Sequence, residues 1–71
     1  MKQIVQLENL SCQNCVKHVT QHFLSMEGVL DVTVDLDKQT AEVIADRSLS
    51  VEDYQVALSK TIYKVLGVQD S

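Results

Sequence analysis

The chain has 71 residues, 45% of them hydrophobic, and a formal net charge of −4. That length makes a single domain, residues 1–71, with one small core, since a chain of this size buries only about 60% of its unfolded surface. Six scattered basic residues and three aromatics exclude a nucleic-acid surface, and no apolar run approaches the ~20 residues that span a bilayer.

Lys2–Asn9 alternates, with Val5 and Leu7 on one face and Gln6 and Glu8 on the other, the pattern of a half-buried strand. Over about Gln13–Met26 the period changes. Val16, Val19, Phe23 and Met26 recur at helical spacing and form one stripe for a core. Gly28 follows and suits a left-handed turn or cap. Val29–Leu36 is the clearest strand, Leu30, Val32, Val34 and Leu36 alternating with Asp31, Thr33 and Asp35. Asp37-Lys38-Gln39 reads as a hairpin turn, and Thr40–Asp46 as a strand with Ala41, Val43 and Ala45 inside. Ser50 N-caps a second helix whose first turn holds Glu52 and Asp53. Its apolar stripe is Val51, Tyr54, Leu58 and Ile62, with Ala57 alongside. Lys64–Val68 closes the chain as a strand in which Val65 and Leu66 compete for the inside, next to a weakening Gly67.

The order β-α-β-β-α-β predicts an α+β fold, a ferredoxin-like sandwich with a four-stranded antiparallel sheet and two helices on one face. The open face is expected to be polar, with Gln6, Glu8, Thr33, Asp35 and Glu42 on it. This topology gathers the first strand–helix loop, the hairpin and the loop before the last strand at one end. Cys12 and Cys15 then neighbour Leu36 to Gln39 and Ile62 to Lys64.

Cys12 and Cys15 are the only cysteines and stand at the start of the first helix. A disulfide between them closes too short a loop to restrict the unfolded chain much. They read as reactive thiols of a reducing compartment. Thiolates are soft donors, and a bare pair of them suits Cu(I). A helix N-terminus favours the thiolate. Cys12 is expected in the exposed loop and Cys15 against the fold, so Cys12 is the expected entry point for a partner. Thioredoxin-like redox chemistry is the rival reading of CxxC beside a βαβ pattern. The lack of any proline and the short chain weigh against it.

Leu10-Ser11-Cys12-Gln13-Asn14-Cys15-Val16, Gly28-Val29 and Tyr63 together resemble the heavy-metal-associated domain family, over essentially the whole chain, and within it the bacterial cytosolic copper chaperones. The resemblance implies Cu(I) held between Cys12 and Cys15 and passed on by ligand exchange. The partners it implies are the metal-binding domains of a copper-transporting P-type ATPase and, in some bacteria, a copper-responsive repressor. Where the family carries Gly-Met before its motif, this chain has Asn9-Leu10. Leu fills a volume similar to that of Met, and Asn tolerates positive φ better than most residues. Ile62 stands where the family often has Gly before the Tyr.

Tyr63 is expected to shield the metal and approach a sulfur, and Ser11 to donate a hydrogen bond to one. Lys17 and Lys64 read as counter-charges or as plain surface lysines. Leu10 and Leu36 read as core residues that border a small apolar patch. His18 and His22 read as a solvated helix surface, although His18 has the spacing of a third ligand to Cys15. Zn²⁺ in a closed site would need four ligands. The expectation is a cytoplasmic carrier, not an enzyme, monomeric when metal-free and with a copper-bridged homodimer left open. The start at Met1 and the lack of linker residues favour a free-standing chain over a fragment of an ATPase. A carrier for Hg²⁺, Cd²⁺ or Zn²⁺ is the alternative of the same class.

Overall fold

A strand buried on one side needs apolar residues at every second position, and the four strands of this chain supply them. The computed structural model describes residues 1–70. Its elements are β1 (Lys2–Glu8), α1 (Gln13–Leu24), β2 (Val29–Asp35), β3 (Thr40–Ala45), α2 (Val51–Ala57) and β4 (Lys64–Asp70). The strands form one sheet in the order β2-β3-β1-β4, and all three pairings are antiparallel. This is the ferredoxin-like βαββαβ fold that the element order predicts.

Val5 and Leu7 of β1, Val32 of β2, Ala41, Val43 and Ala45 of β3 and Val65 of β4 make one buried cluster with Val19, Phe23, Tyr54 and Leu58 from the helical side. Phe23 and Tyr54 meet edge to face, with ring centroids 5.2 Å apart, and so join the two helices. Alternate residues point away from this core. Gln6, Glu8 and Thr33 are exposed and Asp35 and Glu42 half-buried, as expected, although Ile4 and the exposed Ile44 add apolar area to this open face.

Two bulges correct the expected faces. Leu30, placed inside by strict alternation, is 67% exposed, because the register of β2 on β3 slips between Val29 and Asp31 and leaves Leu30 without an opposite residue. In β4 the competition resolves in the same way. Val65 pairs with Leu7 and Gly67 with Gln6, so Leu66 is the extra residue and lies outside.

Helix lengths differ too. β1 stops at Glu8, before a positive φ of 74° at Asn9. α1 stops at Leu24 rather than Met26, followed by Gly28 at φ 88°. The wall around Gly28 is close: a Cβ there would meet Asp46 Oδ1 at 2.6 Å. Val16 is only half-buried, and Cys15 takes the inward position one residue earlier. α2 is short and leaves Ile62 outside its stripe at 70% exposure, and Val51 is exposed as well. Its start is as expected: Ser50 and Asp53 form a reciprocal capping box.

Candidate metal centre

The end of β1 opens the site. Asn9 takes φ 74°, a conformation that Asn tolerates better than most side chains. Its side-chain amide donates to the Ile62 carbonyl at 2.8 Å and ties this loop to the one between α2 and β4. Leu10 turns inward and is buried in the core. Its backbone N–H donates to Gln39 Oε1 at 3.0 Å, and its carbonyl accepts from Gln39 Nε2 at 2.6 Å. The topology therefore brings the three loops together as the strand order predicts.

Cys12 is the N-cap of α1, with extended backbone (φ −155°, ψ 170°) and no capping bond from its side chain. It is exposed, whereas Cys15, in the first helical turn, is buried. Both are free thiols, with Sγ atoms 3.2 Å apart. Ser11 Oγ lies 3.8 Å from Cys15 Sγ. An ion bonded to both sulfurs at about 2.3 Å, the zinc–sulfur length, would hold them up to about 4.6 Å apart. The observed separation lies within that reach, so both sulfurs can contact one ion, and Cys12 is the one exposed at the surface.

Electrostatics single out the inner sulfur. Cys15 is lowered from its ordinary 9.0 to about 6. The Tyr63 hydroxyl contributes most, followed by the Ser11 backbone N–H, Cys12 and the Ser11 hydroxyl, against an opposing penalty from burial. Tyr63 is pushed up to about 12, first by the same contact with Cys15, then by burial and by the charge of the two cysteines. The opposite shifts describe one interaction, a hydroxyl that keeps its proton in order to donate to a thiolate. Tyr63 itself is buried just ahead of β4.

Ser11, Cys12 and Cys15 thus meet at one point, and the buried Tyr63 acts electrostatically on the inner sulfur. His18, Lys17 and Lys64 are exposed. Among the described residues no three His, Cys, Asp or Glu side chains come close enough to hold an ion, so the structure gives Cys15 no third donor in His18. Gln39 and the amide of Asn9 were not legible as parts of the site. The topology put Gln39 near the cysteines, but a glutamine in a turn gives no sign of which backbone groups its amide will bond.

Comparisons with known proteins agree in direction. The heavy-metal-associated domain family matches residues 4–64. A COP-associated protein of Helicobacter felis is 31% identical over 65 residues, which cover 92% of this chain and 98% of that protein. A CopZ metallochaperone superposes with TM-score 0.83 at 25% identity, over 93% of this chain and 100% of that one. The N-terminal domain of a potential copper-translocating P-type ATPase from Bacillus subtilis, solved in the Cu(I)-loaded state, does so with TM-score 0.75 at 29% identity, over 99% and 91%.

Proposed function

The chain belongs to the heavy-metal-associated domain family, and on that premise we propose that it is a copper carrier that holds one Cu(I) between Cys12 and Cys15. One observation carries this reading: two free sulfurs 3.2 Å apart, one exposed and one buried and acidified. Two soft donors, with no third His, Cys, Asp or Glu grouped with them among the described residues, suit an ion that accepts low coordination. A closed zinc site would need four.

Release follows from the same openness. An incoming thiolate from a partner adds to the two-coordinate ion, and a transient three-coordinate Cu(I) forms. The Cys12 sulfur then leaves, followed by Cys15 as a second partner thiolate arrives. Copper stays Cu(I) throughout, and each Cu–S bond formed to an entering thiolate is matched by one broken to a leaving thiolate. Cys12, exposed at the helix N-cap, is the sulfur a partner reaches first. The partner we infer is the metal-binding domain of a copper-transporting P-type ATPase. The likeness to such an ATPase's N-terminal domain supports this, because two chains of one fold can present similar loops to each other. A copper-responsive repressor is a second recipient for the same exchange.

The setting we infer is the cytoplasm, with residues 1–71 acting as one domain. Among the described residues no helix is long and apolar enough to cross a membrane. The reading is of a carrier and not a catalyst. In particular, the acidified thiol is the buried one, whereas disulfide exchange needs an accessible attacking thiolate.

Competition for Cu(I) against a chromogenic chelator tests the site. Cys12→Ser and Cys15→Ser should each abolish tight binding, since a hydroxyl is a hard donor. Full Cu(I) retention by Cys15→Ser would overturn the two-sulfur site. Tighter retention of Hg²⁺ or Zn²⁺ than of Cu(I) under the same competition would move the reading to another soft ion.

A further inference from the structure

Two side-chain amides hold the cysteine loop from opposite sides, and neither belongs to the CxxC motif. Gln39 sits in the β2–β3 turn with φ 55°. Its amide spends both ends on backbone. Oε1 accepts from Leu10 N–H at 3.0 Å, and Nε2 donates to the Leu10 carbonyl at 2.6 Å and the Leu36 carbonyl at 2.8 Å. Leu10 stands two residues before Cys12, so both hydrogen-bonding groups of that backbone position are committed to the hairpin. Across the loop, the Asn9 amide donates to Ile62 O at 2.8 Å, in the segment that carries Tyr63.

We propose that Gln39 and Asn9 are positioning residues for the metal loop, amide clamps that fix its backbone to the hairpin and to the Tyr63 segment before an ion arrives. This inference rests on the copper-carrier reading. The clamps leave Cys12 free, since none of these bonds reaches its side chain. The backbone is then already in place when the ion arrives. Without the clamps the loop must be ordered at the moment of binding, and the affinity falls by that cost.

Glycine suits both positions, because each has positive φ. Gln39→Gly and Asn9→Gly therefore remove the amides without straining the turn. The backbone bond from Leu7 N–H to the Gln39 carbonyl, 2.8 Å long, survives in either variant and serves as an internal control. In metal-free protein, Leu10 N–H of Gln39→Gly should exchange with solvent at least about tenfold faster while Leu7 N–H stays protected. Iodoacetamide should modify Cys15 of both variants faster than that of the unmodified chain. Cu(I) affinity of the folded protein should drop about tenfold in each, at the low end of what groups around a metal's ligands contribute.

Unchanged Leu10 exchange in Gln39→Gly would show that this clamp does not hold the loop. Faster exchange with unchanged Cu(I) affinity and a lower melting temperature would make Gln39 a turn staple only. Either result overturns the proposal for that residue, as unchanged Cys15 modification and Cu(I) affinity in Asn9→Gly would for the other. Weak Cu(I) binding by the unmodified protein would instead remove the carrier reading, and the metal-free measurements would still decide whether the clamps exist.

Discussion

Cys15 combines burial with acidity, two properties that ordinarily oppose each other in a thiol. The Tyr63 hydroxyl above all, then the Ser11 N–H and Cys12, bring it to about 6. An unfolded cysteine titrates near 8.5, so the folded value lies below the unfolded one. The stabilisation from this group is complete above pH ~8.5 and is lost as pH falls through about 6. Tyr54 and Tyr63, both pushed up to about 12, act in the opposite sense. Their contribution is complete below pH ~10 and is lost as pH rises toward 12. Metal-free protein should therefore melt highest at about pH 9 and progressively lower toward pH 6. Cys15→Ala should flatten that acid limb, and an unaltered slope would assign it to other groups. Tyr63→Phe keeps the ring and removes only the hydroxyl. Thiolate absorbance of that variant should titrate at higher pH; the same midpoint as before would reduce Tyr63 to a packing residue.

The two helices begin in contrasting ways. α2 opens on Ser50, which accepts from Asp53 N–H at 3.2 Å, while Asp53 Oδ2 accepts from Ser50 N–H at 3.0 Å. α1 opens on Cys12, whose side chain makes no capping bond. The sulfur that we propose as a metal ligand occupies the place where a hydroxyl would satisfy one of the free N–H groups. Cys12→Ser should therefore do two opposite things. It should abolish Cu(I) binding, and it should raise the stability of the metal-free fold by up to about 1 kcal/mol. In a domain this small that corresponds to roughly 4–8 °C in melting temperature. Ser50→Ala should lower it by a similar amount, and a drop in Cys12→Ser of the same size would show that the cap site cannot accept serine. The N-cap of α2 was legible because a cap is a local signal, a short polar side chain followed by an acid three residues later. The faces of Leu30 and Leu66 were not, because a bulge is fixed by the partner strand, and the strands' own alternation carries no record of it. Cys15 lies against the fold, as its place in the first helical turn led one to expect, but the apolar stripe had given that inward position to Val16. The stripe counted only aliphatic and aromatic residues, and a thiol packs as a small apolar group.

At the scale of the whole molecule, the buried polar anchor of the core and the candidate metal centre lie at opposite ends of β1. The cysteines follow its last residue, while near its first residues Gln3 is a polar side chain buried on the core face at 3% exposure. Its Oε1 accepts from the Tyr54 hydroxyl at 2.7 Å and Leu49 N–H at 3.0 Å, and its Nε2 donates to the Leu49 carbonyl at 3.0 Å and Asp70 Oδ1 at 3.2 Å. One amide thus joins β1 to the lead-in of α2, to α2 itself and to the end of β4. Gln3→Leu keeps the backbone pairing of β1 with Val43 and Asp70 but leaves the buried Tyr54 hydroxyl and the part-buried Leu49 N–H without a partner. Each such group costs about 1–3 kcal/mol, against a total of 5–15 kcal/mol for native domains. A large fall in melting temperature is the expected outcome. Cu(I) affinity measured on folded protein should nonetheless stay at the unmodified value, because none of these bonds touches the three loops that meet at Cys12. Saturating copper should then restore part of the lost stability, by about 2.7 kcal/mol at a free concentration one hundred times Kd. Gln39→Gly should behave in reverse, with a modest change in melting and a weakened grip on copper. If Gln3→Leu loosens copper as much as it destabilises the fold, the two ends of the strand are coupled through the core, and the site cannot be treated as a loop assembly resting on an independent scaffold.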